Sequence, residues 1–338
     1  MSDEFGLLPP DALAKGKVDA GVTIRCRQFE AVGDFTIGDG ATIEAERIVL
    51  GAGARIGAST VVRAIRGVTE LFQMGDQSLL DEGCNVMVPR FQCGDYTRIF
   101  RDALVSGYKP VTLGHNCWVG QGAILNSAET LAIGNNVRMG GSQIWTHVAS
   151  GELLEGSRFY NEAPVTIEDD VWLMGFGHLI SPGVTLARGT VVMAGSVIAR
   201  STEAYHTYSG IPARDVTDKL PAWDRPTEQE KWEKLKGFVV EFLDGHPHAK
   251  DDVVLAEDGA ALDQALAMKG SGLIFTRRMD DWNAAGATGH SVFDLATKTY
   301  LKQRTPLEVS WHHFALGFRA RFLPREPSRT SALETPGS

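Results

Sequence analysis

The chain has 338 residues, enough for one large domain or two, and 43% of them are hydrophobic, ample for a packed core. Its 37 glycines suit a turn-dense architecture, and a formal net charge of -9, with no basic cluster interleaved with aromatics, argues against a nucleic-acid partner. The acidic start Met1-Ser2-Asp3-Glu4-Phe5-Gly6 lacks the charged-then-apolar layout of a secretory signal, and no apolar run reaches membrane-spanning length, so a soluble cytoplasmic protein without a membrane span is expected.

Residues 1–36 read as a lead-in, with a partial strand at Val22–Arg25 that caps the first coil. From Ile37 to Ile198 the sequence then keeps a six-residue beat. Leu113-Gly114-His115-Asn116-Cys117-Trp118 is followed by Val119-Gly120-Gln121-Gly122-Ala123-Ile124, and Ile180-Ser181-Pro182-Gly183-Val184-Thr185 by Leu186-Ala187-Arg188-Gly189-Thr190-Val191. The first position is aliphatic, the second is usually Gly or acidic, and the fifth is small. Such a unit is a short strand and a turn, too small to bury its aliphatic face alone. It predicts stacked coils of three sides, roughly eighteen residues each, as in a hexapeptide parallel β-helix spanning 37–216. The three- and four-residue spacing of an amphipathic helix is absent.

The beat slips by one residue between Ile43 and Leu50 and between Leu173 and Ile180, and breaks at Val62–Gln73, Val105–Thr112 and His147–Thr166. Insertions in a solenoid leave the stack as loops, often on the binding face. The longest starts directly after His147. Cys84 and Cys117 take small fifth positions and Cys93 a first position, and with Cys26 they form no C-x-x-C pair, so buried inert thiols are expected.

Past the coils, 217–323 reads as a smaller α+β region. Pro221–Pro226 is a linker, and Thr227 with Glu230 forms a capping box ahead of a helix whose apolar face is Trp232, Leu235, Phe238, Val239 and Phe242, ended by Gly245. Strands are expected at Val253–Leu255, Leu273–Thr276 and Ser291–Leu301, a helix at Ala260–Met268, and a last helix entered through Thr305-Pro306 with Glu308 closing its box. The Pro/Ser/Thr-rich stretch 324–338 is expected to be disordered.

Two stretches carry chemistry: IGNNVRMGGSQIWTHV (133–148), and IEDDVWLMGFGHLISPGVTLARGTVVMAGSVIAR (167–200) with the later YSGIPAR (208–214). In order, they resemble the segment that delivers the histidine base, the coenzyme A-binding coils and the closing Gly-x-Pro-Ala-Lys/Arg turn of maltose-, galactoside- and xenobiotic-acetyltransferase-like enzymes. The resemblance covers about half of the chain. It implies a mostly β fold, a left-handed parallel β-helix of hexapeptide repeats, and a homotrimer with its site between neighbouring prisms. It also implies a coenzyme A-dependent acyltransferase, expected to move acetyl from acetyl-CoA to a sugar or other hydroxylated acceptor, with no metal.

The resemblance places His147 as the base, a surface histidine at a loop start being the structural alternative. A thioester is already activated, so the difficult step is removing the acceptor's proton, for which an imidazole with an ordinary pKa of about 6.5 is suited. It places Trp172 beside the pantetheine arm, although a structural rim tryptophan would look the same. Gly175 stands where related enzymes keep a small polar residue. Ala194, Gly195 and Ala199 match corners whose backbone meets the arm, and Arg200 and Arg214 match cationic positions near the phosphates. His178 is either an acceptor-side group projecting from the slip or a hydrogen-bonded structural histidine. Glu152 either orients the imidazole or contacts substrate, or is a solvated loop charge. The asparagine that galactoside-acetyltransferase-like sites carry one coil before the histidine finds no counterpart near Gly120 and Gln121.

Three other readings are open. A γ-carbonic-anhydrase-like β-helix needs three histidines with a close pair, and the prism histidines His115, His147, His178 and His206 include none. A non-catalytic β-helix scaffold shares the coils without the histidine and its neighbouring loop. A sugar nucleotidyltransferase needs a Gly-rich nucleotide loop before the repeats.

Overall fold

The computed structural model describes Leu8, residues 13–286 and residues 288–325. They divide into two units, one ending at Trp223 and the other beginning at Asp224.

In the first unit the short strands fall on three parallel sheets. The first face has 11 strands, from Gly16–Val18 to Thr207–Gly210, with Ala213–Asp215 added antiparallel at the end. The second has 9, from Thr23–Arg25 to Val197–Ile198, and the third has 8, from Gln28–Ala31 to Thr185–Leu186. One coil runs through Trp118–Val119, Ile124–Ser127 and Leu131–Ile133, one strand on each face. The chain then returns at Arg138–Met139, where Arg138 lies beside Trp118. This is the expected fold class: a left-handed parallel β-helix of hexapeptide repeats with a smaller α+β region.

The beat has the anticipated physical meaning. First-position residues form buried columns, such as Ile99, Val119, Met139 and Leu173 on the first face. Small residues fill the tight inner corner between the first and second faces, where the fifth-position Cys84, Ala103 and Ala123 stack coil upon coil with Ser142, the fourth residue of its shortened side. All four cysteines are buried, and burial pushes the Cys84 thiol up to about 11 and the Cys93 thiol up to about 12.

The corner between the third and first faces carries a ladder of polar side chains. Asp95 Oδ1 accepts from the Asp76 amide at 2.8 Å, His115 Nδ1 from the Asp95 amide at 2.9 Å, Asn135 Oδ1 from the His115 amide at 2.8 Å, and Asp169 Oδ1 from the Asn135 amide at 2.7 Å. Next to it Asn116, Asn136 and Asp170 hold left-handed backbone, φ 59 to 62, which these short polar residues tolerate. The ladder satisfies turn amides that the sheets leave unpaired.

The coils start earlier than the beat suggested. Gly16–Val18 already pairs with Phe35–Ile37, and Thr23–Arg25 with Thr42–Glu44. These opening coils need apolar residues only on the side facing the next coil, so their periodicity is faint. The His147–Thr166 break is not an irregular loop but an antiparallel hairpin, His147–Ser150 against Phe159–Glu162.

In the second unit the helix Glu228–Gly245 starts with the full capping box at Thr227 and Glu230. It buries Trp232, Leu235, Val239 and Phe242 in a cluster with Phe293 and Trp311. Val253–Ala256, Leu273–Thr276 and Ser291–Asp294 are parallel neighbours, with the helix Gly259–Leu266 after the first of them. The expected strand 291–301 is a hairpin: Asp294 accepts from the Ala296 amide and the Thr297 hydroxyl, turning the chain into Thr299–Leu301. A final strand, Leu323–Arg325, stands where the disordered stretch was expected to begin, and 326–338 lie outside the described residues. No helix among the described residues is long and apolar enough to cross a membrane.

Candidate active site on the coil edges

His147 sits where the second face turns toward the third. Its Nδ1 is 2.9 Å from Oδ1 of Asn126, one coil earlier. Asn126 is buried, its Nδ2 donates to the Ser106 carbonyl, and its Oδ1 also accepts from the Thr146 hydroxyl at 3.0 Å. An amide oxygen only accepts, so Nδ1 of His147 carries the proton and Nε2 keeps its lone pair. The ring is half-buried, and Trp145 stands edge-on to it with centroids 5.8 Å apart. An asparagine one coil before the histidine was sought near Gly120 and Gln121, and the one that meets His147 in the structure is Asn126. Asn126 lies beyond the Gly120–Gln121 segment because the partner is reached across the coils, at the end of the strand and not at its start.

The hairpin after His147 leaves the stack. Glu152 is exposed near its tip, where its main-chain carbonyl accepts from the Ser157 amide. The arm exposes Leu153, Leu154 and Phe159, the last two at 86% and 76%.

Of the two readings of His178, the geometry matches the hydrogen-bonded structural one: it points inward and is 1% exposed. The slip is taken up by the turn Met174–Gly177, so His178 falls on the inner column between Ser142 and Ser196, with Nδ1 3.1 Å from Ser142 Oγ. Burial lowers its pKa below the ordinary 6.5.

The coenzyme candidates fall into two groups. Ala199, Arg200 and Arg214 line one cleft of about 390 Å³, with Ile198, Tyr208 and Pro212 as its apolar walls. Asp215 also lines it, but hydrogen bonds from His206 and Thr217 hold its carboxyl down at about 2. The Ile198–Arg200 side of this cleft shares the edge of His147, since the Trp145 amide donates to the Ile180 carbonyl and the Ser181 amide to the Ile198 carbonyl, two coils in all, whereas Tyr208 and Arg214 come from the terminal strands of the first face. At about 4.8 Å per rung two coils are roughly 10 Å.

Trp172, Gly175, Ala194 and Gly195 form the other group. Trp172 points out of the first face, with the Arg138 guanidinium 5.4 Å from its ring centroid. Gly175, at φ +81, lies against Ala194, and the Gly195 amide donates to the Phe176 carbonyl at 3.0 Å. These residues occupy the first face and its corner with the second. In one chain the first face lies opposite the edge that bears His147, so Trp172 and His147 are not brought together within a single coil stack.

The described residues contain no cluster of three or more His, Cys, Asp or Glu side chains that could hold a metal ion.

No family model matches the chain. It is 26% identical over 111 residues to the galactoside O-acetyltransferase of Escherichia coli (strain K12), covering 32% of this chain and 54% of that protein. It is 32% identical over 88 residues to a Schizosaccharomyces pombe protein described as an acetyltransferase, covering 25% and 42%. The chain thus spans about half the length of the curated relatives it matches. Among solved structures, it is similar to a hexapeptide-repeat acetyltransferase of Vibrio cholerae O1 biovar eltor in complex with acetyl coenzyme A, with 24% identity over 43% of this chain and 69% of the other and a TM-score of 0.27. Another is the polySia-specific acetyltransferase NeuO, with 17% identity, 63% and 84% coverage and a TM-score of 0.37. The resemblance read from the motifs is therefore matched by relatives named as acetyltransferases.

Proposed function

We propose that the chain is a coenzyme A-dependent acyltransferase that moves an acetyl group onto a hydroxyl of a sugar-like small molecule. The observation that carries this reading is the Asn126–His147 hydrogen bond, which leaves a lone pair on Nε2 at a coil edge.

Acyl-CoA supplies an activated thioester. His147 Nε2 takes the acceptor's hydroxyl proton as that oxygen attacks the thioester carbonyl. The new C–O bond forms, the C–S bond breaks, and the imidazolium returns its proton to the departing thiolate. The products are an ester and free coenzyme A. Arg200 and Arg214 fit phosphates because their cleft combines two cations with apolar walls. Trp172, Gly175, Ala194 and Gly195 meet the rest of the arm.

Trp172 and His147 lie on different sides of one prism, so the full site forms between copies of the chain, and a homotrimer is the assembly proposed. The apolar arm bearing Leu153, Leu154 and Phe159 supports contact with another copy.

Thiol release from acetyl-CoA across a panel of sugars, nucleotide sugars and amines tests the reading. His147→Ala should leave the fold intact and lower turnover by about 10²- to 10⁴-fold, the usual contribution of general-base catalysis. Turnover close to that of the unaltered chain would refute the assignment.

A further inference from the structure

The two longest insertions in the beat, 63–70 and 145–164, leave the stack at the same edge, where the second face turns into the third. Insertions in a solenoid gather on one face, often the binding one. The later insertion carries His147. The earlier one carries Arg66, whose guanidinium stands over the ring of Tyr108, 5.2 Å from its centroid, although two coils separate their strands.

Tyr108 also has a fixed relation to His147. Gly107 pairs with Ser127 and Ile144 with Leu125, so by count Tyr108, Ala128 and His147 take the same place in three successive coils. At about 4.8 Å per rung the first and the last stand roughly 10 Å apart. Ala128, small and buried, adds only a methyl group between them. Tyr108 is 52% exposed. Arg66 takes one face of its ring, which holds the ring's plane, and makes no ion pair among the described residues. The neighbouring Lys109 meets Glu129, one coil on, at 4.0 Å. The edge therefore offers a held aromatic face whose nearby cations are already engaged, which suits a neutral ring and not an anion. The coenzyme side lies the other way along this edge, at Ile198–Arg200, two coils past His147. An acceptor has to reach Nε2 from the side that the thioester leaves open, which is the side of Tyr108.

We propose that Tyr108 is the acceptor platform. A neutral pyranose stacks its C–H face on the phenol ring, spans Ala128 and turns one hydroxyl to Nε2 of His147, and Arg66 positions the ring. The proposal rests on the acyl-transfer reading for the use of that hydroxyl; the stacking does not depend on it.

Saturation-transfer NMR titrations of the full chain without coenzyme, using methyl β-galactopyranoside, methyl β-glucopyranoside and galactitol, test it. At least one pyranoside should bind saturably and at least tenfold more tightly than galactitol, which has hydroxyls but no ring face. Tyr108→Leu should weaken that binding at least tenfold, and Tyr108→Phe, which keeps the face, should recover most of it. Tyr108→Gln provides a second ring-free variant should Tyr108→Leu fail to fold. Galactitol bound as tightly as the pyranosides, no saturable binding of either pyranoside, or a ring-free variant that binds like the unaltered chain would each overturn the proposal. Calorimetry with acetyl-CoA keeps the two readings apart. Tyr108→Leu and the unaltered chain should bind it equally; binding lost only in Tyr108→Leu would make Tyr108 a structural residue and overturn the proposal. No heat with the unaltered chain would sink the acyl-transfer reading, while the pyranoside titrations would still decide on Tyr108.

Discussion

Asn126 and His147 are 21 positions apart in the chain and one hydrogen bond apart in the fold, 2.9 Å from Oδ1 to Nδ1. Asn126 belongs to a regular coil, and His147 begins an arm that leaves it. The contact fixes both the ring orientation and the nitrogen that keeps its lone pair. Asn126→Ala should therefore lower kcat by ~10- to 100-fold with little change in acetyl-CoA binding, since misplacing a catalytic group costs about this much. Asn126→Asp should move the acidic limb of the pH–rate profile to higher pH, because a carboxylate favours the imidazolium. A profile identical to that of the unaltered chain would remove Asn126 from the mechanism.

Gly140 and Gly141 make opposite demands. A Cβ on Gly140 would sit 1.6 Å from the Gly175 carbonyl oxygen, a backbone atom of the turn Met174–Gly177. A Cβ on Gly141 would first meet the Phe176 ring, at 2.1 Å, the far end of a side chain whose residue is 64% exposed. Gly140→Ala should cost ~1–3 kcal/mol, as overpacking does, and raise the KM for acetyl-CoA. Gly141→Ala should cost less on both measures. Thermal unfolding and initial rates of the two variants, side by side, check the ranking.

Acid should act on the fold through His178. Its folded pKa is lowered by burial below the ordinary 6.5, so the unfolded chain binds the proton more readily. The stability involved is present above pH 6.5 and is lost as pH falls through and below that value. His178→Ser, matching Ser142 and Ser196 above and below it, should lose less stability between pH 7 and pH 5 than the unaltered chain does. Equal losses in denaturant unfolding at the two pH values would show that His178 is not the sensor.

His115 is a rung of the corner ladder, accepting from the Asp95 amide through Nδ1. Asparagine and aspartate fill the same place in neighbouring coils, at Asn135 and Asp169. His115→Ala leaves that amide without its acceptor and should destabilise by ~1–3 kcal/mol. His115→Asn should recover most of the loss. A denaturation midpoint for His115→Asn as low as that for His115→Ala would refute the ladder's contribution.

Much of this molecule is local and was therefore legible in the order of residues. Alternation within a strand sends Val119 and Met139 inward whatever the neighbouring coils do, so a six-residue beat alone specifies the buried columns. Thr227 with Glu230, and Thr305 ahead of Pro306, mark helix starts within four residues, and both helices start there, although Glu308 turns its carboxylate to Ser291 and the Gln303 and Arg304 amides and does not close the expected box. His147 at the head of the longest insertion was equally visible. Relations between coils were not, because they depend on how each turn and insertion sets the count of residues from one rung to the next. The Met174–Gly177 turn carries His178 inward, and the stacking of whole coils brings Asn126 to His147. It also lines up Tyr108 with His147, and sets Trp172 on a different side of the prism from the base it is proposed to serve. Local periodicity settled which way the side chains of the regular strands face; only the wound stack decided which side chains meet.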